Sequence, residues 1–293
     1  MNPTRLVTLT LALATTACGS SHGSDRPDAG RPSDASVADS GLDAGADGGP
    51  DTGSPRLSVR ILGTTAPFGH TDGLSGQTAI HASGGVRSLS LLRAMDDPAP
   101  VTLFDHGSAV VETGYDDGDD TVVATVALPE GLSGTFTVAR LVQGYSRYEI
   151  DAAAHDGLTV EAGTMDNVLV MGDATMLDGT LRDAGYFEFS FTGPTVSFAD
   201  AGNDWPIPLY STTAGATAVV EDGQWAVYFP IVLDIPADPA PSSELVITVN
   251  MDDAFRWTDL LLLGYERGVF DITRISFEPV LRFGGNSFAA EWR

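Results

Sequence analysis

The chain contains no lysine: all 15 basic residues among its 293 are arginines, set against 40 acids. The resulting formal charge of −25 leaves no basic face. That excludes binding to nucleic acid or anionic lipid through clustered Lys and Arg, which phosphate contacts require. A single cysteine, Cys18, excludes an internal disulfide framework and any four-cysteine zinc site. The chain lacks a Gly-x-Ser-x-Gly elbow and a His-Glu-x-x-His helix, and its histidines are scattered. Neither serine-hydrolase nor zinc-peptidase chemistry is therefore legible. No apolar run approaches the about 20 residues of a spanning helix. Helical apolar stripes with caps are also missing, and residues 152–156 and 252–266 are the only places that would admit a short helical turn. What remains, at 43% hydrophobic residues, is enough for a sizeable core.

Arg5 precedes the apolar stretch Leu6–Ala14, which ends in Thr15-Thr16-Ala17-Cys18. A positive residue, a short greasy segment and small residues at its end make a secretory signal. The only thiol of the chain falls at its cleavage junction. This resembles the signal of bacterial lipoproteins, whose lipobox ends in Leu, two small residues and Cys, with Thr15 standing where that Leu is usual. The resemblance implies that Cys18 becomes the mature N-terminus, thioether-linked to diacylglycerol and N-acylated, with palmitate-type chains as a membrane anchor. Gly19 in place of an aspartate implies the outer membrane of a Gram-negative envelope. An ordinary signal peptide with an incidental cysteine is the alternative.

Residues 19–54 hold seven aspartates and two arginines, and Val37 and Leu42 are their only large apolar side chains. Such a segment buries too little surface to offset its ordering entropy, so a disordered spacer is expected. A coil of this length has an r.m.s. span of about 30–36 Å, extended further by self-repulsion. Its Asp, Ala, Gly and Pro content resembles the stalks of envelope lipoproteins of high-GC Gram-negative bacteria. That resemblance covers residues 1–54 and implies location, not activity.

From Pro55 onward the dominant apolar period is two. Leu57, Val59 and Ile61 share a face, as do Phe187, Phe189 and Phe191, and Leu245, Ile247, Val249 and Met251. This alternation predicts half-buried antiparallel strands. Further strands are expected at residues 101–104, 121–128, 135–142, 145–150, 167–171 and 224–235, separated by Gly, Pro, Asn and Asp. The fold class is all-β, an antiparallel β-sandwich head formed of one large or two packed sub-domains. The interruption at residues 152–164 suggests a division into 55–155 and 156–293, after a signal at 1–17 and a linker at 18–54. The head carries 12 arginines against 33 acids, which favours solubility and a neutral or cationic partner.

Asp116, Asp117, Asp119 and Asp120 crowd four carboxylates around Gly118, between two expected strands. Calcium binds several such oxygens, although the spacing is not that of an EF-hand. A solvated hairpin tip accounts for the same residues, because Asp-Gly is a favoured turn dipeptide. All four tryptophans lie after residue 200. Trp225 alternates with a run of core residues, whereas Trp205, Tyr210 and Trp257 are candidates for an aromatic platform that stacks on sugar rings. The expected function is a membrane-anchored, non-catalytic head for binding, adhesion or envelope structure, toward an envelope or extracellular glycan or protein. A secreted polysaccharide hydrolase and a calcium-stabilised adhesive module are the alternatives.

Overall fold

The structure, a computed structural model, describes residues 54–206 and 215–293. The signal segment, Cys18, the linker through residue 53, and Tyr210 lie outside the described residues.

Strand β1 (Arg56–Thr64) shows how alternation becomes a sheet. Leu57, Val59 and Ile61 are fully buried while Ser58, Arg60 and Leu62 between them are half-buried. Each fully buried aliphatic side chain contributes about 1.5–3 kcal/mol. β1 pairs antiparallel with β6 (Asp120–Ala127) on one edge and parallel with β15 (Ser242–Asn250) on the other. The last strand, β19 (Ser287–Trp292), completes this four-stranded sheet beside β15.

The larger sheet is organised around β7 (Gly134–Asp156), a strand of 23 residues. One edge of β7 carries β14 (Gln224–Ile235) along its first half and β8 (Thr159–Val170) along its second. The other edge carries β3 (His81–Leu92) and then the short β17 (Asp271–Ile272). Beyond β3 lie β4 (Val101–Asp105) and β5 (Val111–Gly114). β13 (Thr217–Glu221) follows β14, while β11 (Phe187–Thr192) and β12 (Ser197–Gly202) follow β8. A three-stranded sheet is formed by β2 (Ser75–Gln77), β16 (Phe255–Trp257) and β18 (Val280–Arg282). The hairpin β9 (Thr175–Leu177) and β10 (Thr180–Arg182) stands apart.

The two halves of β7 serve different cores. Phe136, Ala139 and Leu141 join Leu57, Ile61, Ile247 and Phe229 in the main sandwich core, against the four-stranded sheet. Ile150, Ala152 and Ala154 join Phe191, Phe255, Trp257 and Phe270 in a second core, beside the three-stranded sheet. The described residues are all-β, in a sandwich-like arrangement of mostly antiparallel strands, and contain no helix.

Three local expectations are corrected. No helical turn forms at 152–156, where Ala152, Ala153 and Ala154 continue β7 as buried small residues beside β17. Within 252–266 the chain forms β16 and turns rather than helix. The interruption at 152–164 is a hairpin in which β8 pairs with β7 from Tyr145 to Asp156.

Candidate ligand cavity

Gly144 is the point at which β7 changes partners. β14 pairs with β7 as far as Gln143, and β8 takes over from Tyr145. Along the opposite edge Gly85 faces Tyr145 and Val86 faces Gln143, so Gly144 is an extra residue, a β-bulge. The bulge moves the side-chain alternation by one position. Leu141 and Gln143 before it and Ser146 and Tyr148 after it line one cavity, while Tyr145 joins Val168, Val170 and Tyr186 in a third apolar cluster. A Cβ at position 144 would lie 2.7 Å from Thr175 Cγ2 and 2.9 Å from Val110 Cγ1, so only glycine fits without displacement.

The cavity has a volume of about 450 Å3. β8 supplies Met165, Asn167 and Leu169, every second residue, and β14 supplies Trp225 and Val227. Residues 277–285, around β18, border it from the C-terminal part of the chain. Trp205, 36% exposed, sits on its border with ring centroids 5.0 Å from Phe187 and 5.2 Å from Phe277. The lining is therefore aromatic and aliphatic, with a few polar groups set into it.

Those polar groups fall into two kinds. Gln143 donates to the Tyr145 carbonyl at 3.0 Å, and the Arg282 guanidinium lies 3.4 Å from the Asp72 carboxylate. Glu278 is fully buried and accepts hydrogen bonds from the backbone N–H groups of Leu260 (2.5 Å) and Asp271 (3.0 Å). Burial pushes its carboxyl above the ordinary carboxylate range, and the charges of Asp271 and Asp259 act in the same direction. Burial likewise raises the Tyr148 hydroxyl. Ser146 and Asn167, by contrast, make no side-chain hydrogen bond to the protein among the described residues. They can serve a guest that brings its own donor or acceptor. Arg282 is paired with Asp72 and Glu278 is held by two backbone N–H groups, so the largely apolar lining suits an uncharged, mostly apolar molecule.

The residues singled out from sequence do not assemble into one site. Trp205 borders the cavity, whereas Trp257 is 1% exposed and packs against Phe255 and Phe270 in the second core. Its ring faces protein rather than solvent. Trp225 is buried, as its alternation implied, and additionally lines the cavity.

The carboxylates of the Asp116–Asp120 loop are engaged by the protein itself. Asp116 accepts from the Ala82 N–H at 2.8 Å and lies 2.9 Å from His81 Nδ1. That contact, through its hydrogen bond and charge, raises the imidazole pKa. Asp117 accepts from the Thr65 N–H at 3.2 Å, and Asp119 from the Asp116 N–H at 2.8 Å. Asp120 pairs with Arg60, whose Nε donates at 2.9 Å. Among the described residues, no group of three or more His, Cys, Asp or Glu side chains is placed to hold a metal ion.

No family model, no curated protein and no solved structure matches the chain. Sequence reasoning missed Ser146 because the bulge decides which way it faces, and missed Asn167 with it. The available signal was a polar Asn167 set in the otherwise apolar alternation Met165, Leu169, Met171.

Proposed function

We propose that this protein is a lipid-anchored envelope protein whose head binds a small, uncharged, largely apolar molecule without transforming it. The observation that carries the binding part is the 450 Å3 cavity beside Gly144, which is within the size range of ligand sites and is lined by apolar side chains with Ser146 and Asn167 set among them. The anchor part is supported by the lipoprotein-like signal that ends at Cys18. Binding of this kind fits a tethered carrier or sensor in the envelope.

The test is titration of the purified chain with the neutral probe N-phenyl-1-naphthylamine, followed by its fluorescence. Leu169→Trp fills the space between β8 and β14 and is expected to weaken probe binding by at least about tenfold, the loss of about 1.4 kcal/mol of contact. Val232→Trp, at a position 84% exposed, serves as the control and leaves binding unchanged. Equal affinities for wild type and Leu169→Trp, with both folded, would refute the assignment.

A further inference from the structure

Three turns meet where β7 ends. The β7–β8 turn carries Leu158, the turn after β17 carries Ile275, and the loop after β16 carries Leu261, Leu262 and Leu263. Their proximity is fixed by specific contacts. Arg274 Nη2 donates to Asp156 at 2.9 Å, and the Tyr265 ring centroid lies 4.5 Å from that of His155. His155 Nε2 in turn lies 2.6 Å from the Asp271 carboxylate at the start of β17. Leu158, Leu263, Ile275 and Leu261 are 105%, 104%, 95% and 93% exposed, so these side chains project from the surface. Soluble proteins rarely leave so many aliphatic side chains grouped and unshielded.

Charge is nearly balanced at this end of a strongly acidic head. Across residues 156–160, 258–268 and 273–276 there are three acids and two arginines. Asp156 is paired with Arg274, and Asp259 lies 3.6 Å from Arg267, which leaves Glu266 as the net charge. The chain enters the head at Pro55, whose carbonyl accepts from the Leu128 N–H at 2.9 Å, six residues before β7 begins at Gly134. The apolar turns follow the other end of β7, a strand of 23 residues with a contour of up to about 75 Å.

We infer that these turns insert into the surface of an electrically neutral lipid bilayer, as a second membrane contact independent of Cys18 and of the cavity. A protein partner fits the tip poorly. Stable interfaces engage about 20–30 residues a side, and their energetic centres are Trp, Tyr and Arg rather than Leu. The same shortage of area argues against a second copy of this chain. A bilayer needs no matching shape, and each leucine that leaves water for lipid gains about 1.5–3 kcal/mol. The absence of a basic cluster on the tip sets the preference for zwitterionic over anionic lipid.

The experiment places a nitrobenzoxadiazole fluorophore on full-length chain carrying Cys18→Ser and either Leu262→Cys at the tip or Val232→Cys on β14, beside the start of β7. With phosphatidylcholine vesicles the label at 262 is expected to shift to the blue, brighten several-fold and be quenched by brominated acyl chains, while the label at 232 stays unchanged. Adding Leu158→Ser, Leu261→Ser and Leu263→Ser, all exposed and so harmless to folding, weakens vesicle binding by about tenfold or more per leucine. Replacing half of the lipid with phosphatidylglycerol weakens it further at low salt. No response at 262 overturns the inference, as do equal responses at 262 and 232. A response at 262 that follows protein concentration without vesicles overturns it in favour of self-association, and tighter binding to the anionic vesicles overturns the assignment to neutral lipid.

Discussion

The Arg256 guanidinium donates to the Asp72 carboxylate at 2.6 Å, although 184 residues separate them in the chain. Both side chains are nearly buried, and Arg256 also reaches Asp253 at 2.5 Å and the Leu74 carbonyl at 2.8 Å. The pair fastens the segment before β2 to β16, on the three-stranded sheet. Burial alone would raise the Asp72 carboxyl, but hydrogen bonds from Arg256 and the Leu74 N–H, with the charges of Arg256 and Arg282, outweigh it and lower the pKa. A lowered carboxylate contributes stability above its ordinary pKa and loses it as pH falls through the folded value. Asp72→Ala leaves a buried guanidinium short of its partner and is expected to cost about 3 kcal/mol in urea unfolding at pH 7. The difference from wild type should shrink toward zero in acid; a constant difference at every pH would disprove the pairing's role.

Glu278 has the opposite sign. Its carboxyl is held above the ordinary 4.5, first by burial. The folded state therefore holds a proton that the unfolded state has released, so stability falls as pH rises from 4.5 through the folded value. One such proton gives a slope of up to about 1.4 kcal/mol per pH unit. Glu278→Gln removes this slope and is also less stable near neutrality, because its amide NH2 must face one of the two backbone N–H groups that the carboxylate accepts from. Urea melts between pH 4 and 8 check this, and identical slopes in both proteins contradict it.

The bulge can be tested by one methyl group. Gly144→Ala drives a Cβ against Thr175 and Val110, and the expected cost is about 1–3 kcal/mol by overpacking. Because the bulge sets which residues face the cavity, probe affinity should fall alongside stability. A variant as stable as wild type would show that the bulge relaxes freely.

Strands with a single buried face were legible in the sequence. Gln224–Ile235 forms a strand with the expected bounds, and Leu57, Val59 and Ile61 face the core as their alternation requires. The long β7 was not legible. Residues 135–142 and 145–150 read as two strands because a glycine between apolar runs looks the same whether it marks a turn or a bulge. What distinguishes them is β3 on the far edge, together with Thr175 and Val110, none of which is local to Gly144. The cavity inherits this illegibility, since the orientation of Ser146 depends on the bulge. The burial of Trp257 was not legible for a related reason: three residues of strand are too short for a period to declare a buried face. Paired acids such as Asp72 and Asp271 look like any others in a chain with 40 of them.

The proposed anchor makes a prediction that involves no folded residue. Two or more acyl chains on Cys18 hold a protein at a bilayer because each buried methylene contributes about 0.8 kcal/mol, where a single chain gives only reversible attachment. Cells fed an alkyne analogue of palmitate should therefore label the wild-type chain and return it in the membrane fraction. Cys18→Ala should lose the label altogether and leave a precursor with its signal uncleaved, since the thioether precedes cleavage in the lipoprotein route. Equal labelling of both chains, or an unmodified thiol on wild-type protein by mass spectrometry, would remove the anchor. The cavity and the apolar turns at the end of β7 would then stand on their own geometry, because neither draws on residues before Pro55.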